Sequence, residues 1–251
     1  MKETYNFGLF ETVRSYKGRI IYLNEHLLRL RKSAELAGLK MPFNPRRLKA
    51  MINKAVKINN FKDAYIKLIL LGAADNKCSC FIIVKVYKPY SKQKYSMGFK
   101  AIVSKFRQLD PYLAQMKSTK RFLYESAFAE AKEKGADEAV ILNKHGSITE
   151  GSRTNVFFVK GKELFTPSVS CGCLNGITRK LVIDLAKAEK IKVTEGKFSP
   201  RDLYEAEEVF LTNSLMGIMP LSRLNGKKIG VKNAKMTKIF INKYNSILNA
   251  H

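Results

Sequence analysis

The side chains of this sequence that could do chemistry are mainly lysine, glutamate and arginine. Only three histidines occur and no His-Glu-x-x-His motif is present, so we expect no histidine-based metal site. No Gly-x-Ser-x-Gly elbow marks a hydrolase nucleophile, and neither a Gly-x-Gly-x-x-Gly motif nor a P-loop marks a nucleotide phosphate site. Lysine can act as a nucleophile and proton carrier, while carboxylates and arginine can hold charged ligands.

Four segments combine these residue types in one order along the chain. They are GLFETVR at 8–14 with HLLRL at 26–30, MKS at 116–118, EGSRTNVF at 150–157 and GCLNGITR at 172–179. Their order and spacing resemble the class IV aminotransferases, which are pyridoxal-phosphate enzymes. That family includes branched-chain and D-amino-acid aminotransferases and 4-amino-4-deoxychorismate lyase. The resemblance runs from about residue 5 to residue 224, which is nearly the whole chain.

The resemblance implies pyridoxal 5'-phosphate as the cofactor and a small amino compound as the substrate. Lys117 matches the family's catalytic Schiff-base lysine, and Lys120 is its nearest rival in the sequence. Glu150 matches the carboxylate that keeps the cofactor's ring nitrogen protonated, which makes the ring a stronger electron sink. Asn155 matches a position that supports this site, and Leu174 matches an apolar residue pressed on the ring face.

The cofactor's phosphate needs hydrogen-bond donors, and the start of a helix after Gly176 could supply them. Free backbone N–H groups at a helix N-terminus bind anions, and the helix dipole favours negative charge there. The resemblance places the phosphate at this point. Four residues match its phosphate-binding positions, namely Arg29, Ile177, Thr178 and Ser214.

Weaker matches concern the substrate. Tyr5 matches a pocket tyrosine, and Lys67 stands where branched-chain aminotransferases carry an arginine. Phe10 and Arg107 are further candidates for substrate binding. Phe122 stands where those enzymes have a tyrosine five residues after the lysine, so we expect one hydroxyl to be lost near the cofactor.

Two stretches favour the lyase within the family. Residues 111–114 (PYLA) and residues 212–214 (TNS), the latter with Met219-Pro220, look more like the lyases than the aminotransferases. We therefore predict 4-amino-4-deoxychorismate lyase, which releases pyruvate and 4-aminobenzoate in folate synthesis. The alternative is an amino-acid aminotransferase acting on branched-chain or D-amino acids, because both reactions begin with removal of the same α-proton.

Strands and helices are mixed without strict alternation, which predicts an α+β fold in two parts. We expect a small N-terminal domain at 1–106, a linker at 107–116 and a larger cofactor-binding domain at 117–251. The resemblance implies that the cofactor lies in the cleft between the domains of a homodimer. Family members usually begin with more residues, so we expect either that the first strands of the small domain are lacking or that the start of the chain is wrongly assigned. Predicted helices cover 24–38, 44–59, 118–134, 176–189 and 233–248, with Asn24 as the cap of the first and Asn44-Pro45 as the start of the second. Predicted strands include 7–14, 64–71, 79–87 and 99–104.

The formal charge of +25 makes a basic nucleic-acid-binding protein a remote alternative. The 46 lysines and arginines are spread along the chain rather than gathered in a tail, which favours a solvated surface instead. No apolar run reaches 18 residues, so no membrane span is expected. The four cysteines form two Cys-x-Cys pairs, read as free thiols, and we expect a cytoplasmic protein.

Overall fold

The structure, a computed structural model, describes residues 7–72, 78–230 and 234–249. The chain divides into two compact units. Unit 1 comprises Met1–Pro89 and Met116–Lys120, and unit 2 comprises Tyr90–Gln115 and Arg121–His251. Each unit is organised on its own sheet with its own helices, so the α+β prediction is confirmed.

Unit 1 contains a four-stranded antiparallel sheet with strand order β2-β1-β3-β4. Its elements are β1 (Phe7–Tyr16), β2 (Arg19–Ile20), α1 (Leu23–Leu36), α2 (Pro45–Asn59), β3 (Ala64–Gly72) and β4 (Cys78–Val86). Burial alternates strictly along β3, as expected for a strand with one face in the core. In the register of β1 with β3, Glu11 lies opposite Leu68 on the buried face, whereas Phe10 and Lys67 lie on the other face.

The two helices of unit 1 begin differently. Asn44 caps α2 as predicted, because its side chain accepts a hydrogen bond from the N–H of Arg47, and Pro45 occupies the first turn. The predicted Asn24 cap of α1 is wrong. The helix starts at Leu23 after Tyr22, which has left-handed backbone angles and makes no side-chain cap. Asn24 instead accepts a hydrogen bond from Lys49 at 3.1 Å.

Unit 2 contains a nine-stranded mixed sheet with the order β10-β9-β8-β11-β12-β5-β6-β7, and β13 pairs with β12. Its strands are β5 (Phe99–Gln108), β6 (Glu138–Asn143), β7 (Ile148–Gly151), β8 (Asn155–Lys160), β9 (Glu163–Pro167), β10 (Val193–Gly196), β11 (Glu208–Asn213), β12 (Gly217–Leu224) and β13 (Lys227–Lys228). Its helices are α3 (Lys92–Met97), α4 (Pro111–Ala114), α5 (Phe122–Glu133), α6 (Ile177–Ala188), α7 (Pro200–Tyr204) and α8 (Lys235–Asn249), with a 3-10 turn at Val169–Cys171.

Both faces of the central strands of unit 2 are buried. Phe210 of β11 stacks on Phe157 of β8 at 5.1 Å between ring centroids, and it also contacts Phe240 of α8 at 5.9 Å. The opposite face belongs to a cluster that includes Val156, Phe158, Val209, Leu211, Met219 and Leu221. Glu208 fixes the start of α8, because its carboxylate accepts hydrogen bonds from the N–H groups of Met236 and Thr237.

The units are divided at other positions than the predicted boundaries at 106 and 116. Strand β5 pairs in parallel with β6 and β12, which places it in unit 2, and it continues to Gln108 inside the predicted linker. The linker also contains the short helix α4. Residues Met116–Lys120 group with unit 1, and helix α5 starts at Phe122 rather than at 118.

Candidate active site

Lys117 lies on a short segment that is fixed to strand β1 by backbone hydrogen bonds. The N–H of Phe10 donates to the carbonyl of Lys117 at 2.8 Å, and the N–H of Thr119 donates to the carbonyl of Gly8 at 2.8 Å. Leu9 and Ser118 form an isolated antiparallel bridge between these bonds. The backbone of the lysine is therefore held as firmly as that of a strand, although it belongs to no helix or sheet ladder.

The ring of Phe10 brings three of the predicted site residues together. Lys117 Nζ lies 4.7 Å from the ring centroid and Lys67 Nζ lies 4.9 Å from it, which are cation–π distances. Phe10 is buried, so the two ammonium groups border an apolar surface. Lys120 lies instead beside the ring of Phe7, at 5.7 Å. The structure thus separates Lys117 from its rival.

Arg29 is held by a buried carboxylate, Glu11, which the sequence did not single out. Arg29 donates from Nε to Glu11 Oε1 at 2.7 Å and from Nη2 to Oε2 at 2.6 Å. His26 Nδ1 lies 2.6 Å from Glu11 Oε2. Glu11 and His26 are each 1% exposed, because Glu11 lies on the face of β1 that α1 covers. A bidentate contact of this kind fixes the plane of a guanidinium group.

Burial and charge act in opposite directions on Glu11. Burial raises the pKa of its carboxyl, but the charge and hydrogen bonds of Arg29 and His26 outweigh burial and lower the pKa to about 2. Burial lowers the pKa of His26 below its ordinary value, against the attraction of Glu11. At neutral pH we therefore treat His26 as neutral, with its Nδ1–H donating to a charged Glu11 carboxylate.

This network predicts that acid destabilises the protein in two steps. Both groups bind fewer protons in the folded state, so the free energy of unfolding must fall as the pH falls. The contribution of His26 is lost from its usual pKa of 6.5 downwards. The contribution of Glu11, about 3 kcal/mol for a shift from 4.5 to about 2, is lost between those two values. Urea unfolding across this pH range should show this loss in the wild type and less of it in Glu11→Gln. Equal pH slopes in the two proteins would contradict it.

In unit 2, a second buried glutamate shapes the segment that carries Glu150 and Asn155. Glu138 accepts hydrogen bonds from the side chain of Thr154 at 3.0 Å, from the N–H of Ser152 at 3.0 Å and from the hydroxyl of Ser152. Gly151 is needed between them, since a Cβ there would lie 2.1 Å from Thr154 Oγ1. The Glu-Gly-Ser-x-Thr motif is thus a turn held around Glu138 that fixes the residues at its ends.

The carboxylate of Glu150 receives donors from three directions. Tyr124 donates to Oε1 at 3.0 Å, the N–H of Leu174 donates to Oε2 at 3.1 Å, and Asn155 Nδ2 lies 3.4 Å from Oε2. Glu150 is 6% exposed. Hydrogen bonds to a carboxylate favour its charged form, so the geometry suits a buried anion that can hold a cationic ring nitrogen.

The start of helix α6 adjoins Asn155. Its Nδ2 donates to the carbonyl of Leu174 at 2.9 Å, and a Cβ on Gly176 would lie 2.0 Å from its Oδ1. Gly176 precedes Ile177 with extended backbone angles and gives α6 no side-chain cap. In unit 2 the structure therefore brings Glu150, Asn155, Leu174 and the α6 N-terminus together.

Three further predicted site residues are Ser214, Arg107 and Tyr5. Ser214 is half-buried in the turn between β11 and β12, which Asn213 stabilises by accepting the N–H of Leu215 at 3.0 Å. Arg107 is exposed, and its guanidinium group donates to carbonyls of its own strand, Ser104 and Phe106. Tyr5 lies outside the described residues.

Sequence reasoning missed Glu11, Tyr124 and Gln108. Glu11 stands inside a quoted motif, and its alternation with Phe10 along β1 could have identified it as a buried charge that needs a partner. Tyr124 and Gln108 gave no such signal. Phe122, where we expected the aromatic residue near the cofactor, is 83% exposed.

Within residues 7–72, 78–230 and 234–249, no group of three or more His, Cys, Asp or Glu could hold a metal ion. No helix in this part of the chain is both long enough and apolar enough to cross a bilayer. The four cysteines are free thiols, and Cys171 and Cys173 are buried.

Known proteins resemble this chain over nearly its whole length. A Methanocaldococcus jannaschii protein provisionally named a branched-chain-amino-acid aminotransferase is 33% identical over 252 residues, which cover 97% of this chain and 88% of that protein. The aminodeoxychorismate lyase of Bacillus subtilis is 28% identical over 247 residues, covering 93% of this chain and 83% of that enzyme. The solved branched-chain aminotransferase of Thermoproteus uzoniensis with norvaline has a TM-score of 0.89 at 30% identity, covering 97% of this chain and 86% of that one.

A sequence profile of the family described as amino-transferase class IV matches residues 8–224, most of the chain. Enzymes of this class use pyridoxal phosphate, and a similar branched-chain aminotransferase has been solved with pyridoxamine 5'-phosphate, so the predicted cofactor is confirmed along with the resemblance. This protein is an enzyme that belongs to the class IV aminotransferase family.

Proposed function

We propose that this enzyme is an amino-acid aminotransferase and that its amino donors are branched-chain amino acids. The observation that carries the proposal is the order of the relatives. Proteins named as branched-chain aminotransferases resemble the chain at up to 33% identity, above the 28% of the lyase. Our preference for the lyase, drawn from residues 111–114 and 212–214, therefore becomes the second candidate.

The residues of both units fit pyridoxal phosphate. Unit 1 offers a lysine on a fixed backbone, Lys117, and a guanidinium held in one plane, Arg29. Unit 2 offers a buried carboxylate with three donors, Glu150, and the first turn of α6, which has no side-chain cap. An amine can bind the aldehyde of the cofactor, a carboxylate can pair with its protonated pyridine nitrogen, and anion-binding groups can hold its phosphate.

When bound, pyridoxal phosphate withdraws electrons from the α-carbon of an amino substrate and acidifies its α-proton. We assign to Lys117 Nζ the binding of the cofactor's aldehyde and the removal of that proton. Glu150 accepts a hydrogen bond from the ring nitrogen and so keeps a proton on it. Arg29, Ile177, Thr178 and Ser214 bind the phosphate, Asn155 holds the segment before α6, and Leu174 contacts the ring.

Aminotransferase and lyase differ in the step that comes after removal of the proton. In transamination Lys117 Nζ would return the proton to the cofactor's C4′ carbon, whereas in the lyase reaction the substrate would lose pyruvate and become 4-aminobenzoate. We propose that Phe10 and Lys67 border the substrate, since Lys67 Nζ and Lys117 Nζ lie on one ring. Arg107 and Tyr5 remain candidates for the same role on the resemblance alone.

A substrate panel tests the proposal. Purified enzyme should transfer the amino group of leucine, valine or isoleucine to 2-oxoglutarate, with glutamate as the measured product. D-Alanine with 2-oxoglutarate and aminodeoxychorismate alone are the competing arms. Release of pyruvate and 4-aminobenzoate without amino transfer would replace the aminotransferase with the lyase. Transfer from D-alanine alone would replace branched-chain substrates with D-amino acids.

Glu150→Gln should slow turnover by about 10- to 150-fold, because it keeps the shape of the side chain and removes the charge. Cofactor binding should weaken less, since the phosphate contacts remain. Steady-state kinetics and the colour of the purified variant measure the two effects. Glu163→Gln, which changes a half-buried carboxylate paired with Lys192 in the same unit, is the control. Undiminished turnover in Glu150→Gln would mean that Glu150 is only a turn residue.

We further propose a homodimer in the cytoplasm. The oligomeric state follows from the family, whose pockets borrow residues across a subunit interface, and the compartment follows from four free thiols. Solution scattering at several protein concentrations should give twice the chain mass of 28.5 kDa. A fully active monomer would contradict the dimer.

A further inference from the structure

Tyr124 on helix α5 connects two buried polar side chains of unit 2. Its hydroxyl lies 3.0 Å from Glu150 Oε1 on one side and 3.0 Å from Gln108 Nε2 on the other. Gln108 is the last residue of β5 and is 7% exposed. These three side chains form a hydrogen-bonded row that leads from the end of β5 through α5 to Glu150.

The orientation of the Gln108 amide fixes the direction of each hydrogen bond in the row. Gln108 Oε1 accepts the N–H of Asp110 at 3.1 Å, so its amide nitrogen must face Tyr124. An amide nitrogen only donates, and the hydroxyl oxygen of Tyr124 therefore accepts that bond. The single proton of the hydroxyl is left to donate to Glu150, which makes the row directional rather than free to invert.

The hydroxyl of Tyr124 is held as a donor at neutral pH. Burial raises the pKa of Tyr124, and the negative charge of Glu150 raises it further. Arg121 at the start of α5 opposes this shift only in part. Glu150 thus faces a hydroxyl donor at Oε1, while Leu174 and Asn155 donate to Oε2.

We propose that Tyr124, oriented by Gln108, is a positioning residue that fixes the Glu150 carboxylate and keeps it charged for the cofactor's ring nitrogen. The inference rests on the role proposed above for Glu150. Tyr124 acts through Glu150 and takes no part in proton removal. Tyr124 thus places a hydroxyl beside the carboxylate, whereas the aromatic residue expected near the cofactor, Phe122, has none.

A double-mutant cycle tests the inference in the holoenzyme. Tyr124→Phe should lower kcat roughly 10-fold with little change in the substrate KM, the effect of one charge-assisted hydrogen bond. In a Glu150→Gln background the same substitution should change kcat less than about twofold, because the carboxylate that it serves is gone. Tyr95→Phe is the matched control. Tyr95 also donates one hydrogen bond in unit 2, to the carbonyl of Met216 at 2.6 Å, and its loss should leave kcat unchanged.

A second readout needs no cofactor. Carbon-13 NMR of the apoprotein, with Glu150→Gln to assign the signal, should show a higher pKa for Glu150 in Tyr124→Phe, since a donor to the charged form is lost. Titratable groups near the row include Cys173, whose pKa burial raises to about 12, Arg121, and the carboxyl of Asp110 beside Gln108. A shift that persists when Asp110 is replaced by Asn reports the lost hydroxyl.

The outcomes separate the inference from the proposed function. If Glu150→Gln slows turnover but Tyr124→Phe moves neither kcat nor the pKa of Glu150, the inference fails and the role of Glu150 stands. If Glu150→Gln leaves turnover intact, both fail. Should Tyr124→Phe not fold, Gln108→Met removes the other hydrogen bond of the hydroxyl. It should then give a smaller loss of kcat in the same direction, and no loss would overturn the inference.

Discussion

Lys117→Ala should lose transamination by more than about 10³-fold, whereas Lys120→Ala should keep most of it. Lys117 is proposed to bind the cofactor covalently and to carry the α-proton, and general acid–base transfer alone contributes about 10² to 10⁴. The purified Lys117 variant should also lose the yellow colour of lysine-bound cofactor. Absorbance spectra and an amino-transfer assay on the same preparations measure both effects.

Lys120→Ala is a matched control because the two lysines share one segment but face different rings. Lys117 Nζ lies by Phe10, and Lys120 Nζ lies by Phe7. Full activity and colour in Lys117→Ala, with loss of both in Lys120→Ala, would shift the register of the whole central motif by three residues. In that case the contact between Lys117 and Phe10 would have no role in catalysis.

Glu11→Gln should lower the free energy of unfolding by about 3 to 5 kcal/mol at neutral pH. The substitution keeps the volume of the side chain but leaves Arg29, whose side chain is 13% exposed, without its charged partner. A mostly buried guanidinium cannot regain the solvation that it loses on folding. Urea unfolding of both proteins in the same buffer measures the difference.

Glu35→Gln, on the helix that carries Arg29, is the control for the loss of a carboxylate as such. Glu35 lies 3.5 Å from Arg31, and both side chains are at least half exposed, so its removal should cost less than about 0.5 kcal/mol. If Glu11→Gln costs no more than Glu35→Gln, the contact between Glu11 and Arg29 contributes nothing to stability.

Much of the local structure could be predicted because its signals are local. Strict alternation along β3 and the Asn44-Pro45 start of α2 depend on neighbours a few residues away. The start of α1 could not be predicted in this way. Tyr22 adopts left-handed backbone angles, which are predicted from sequence mainly at glycine or asparagine. The preference for asparagine as a helix cap therefore selected Asn24, two residues later.

The division of the chain could not be read from local pattern. Strand β5 starts ten residues after Pro89, where the first part of unit 1 ends, yet its parallel partners β6 and β12 lie about 40 and 120 residues further along the chain. Residues Met116–Lys120 return to β1 after more than 100 residues through one isolated bridge, which has no periodic signature. Which unit such a segment joins depends on its pairing with strands that are distant in the sequence.

For the site, residues with a family motif were found and residues that support them were not. Lys117, Arg29 and Glu150 stand in quoted motifs, whereas Tyr124 acts from an ordinary helix position two residues beyond the expected aromatic at Phe122. The row from Gln108 to Glu150 connects β5, α5 and β7. Its members are up to 42 residues apart, so spacing alone could not have joined them.

The return of Met116–Lys120 to β1 sets an order of events on the ribosome. Translation at about 5 to 20 residues per second needs roughly 2 to 6 seconds to proceed from Pro89 to Lys120. During that interval Gly8 and Phe10 lack the backbone partners that Thr119 and Lys117 provide in the finished protein. The nascent N-terminal sheet can therefore pair its strands early, but the lysine segment completes it only after β5 has been synthesised.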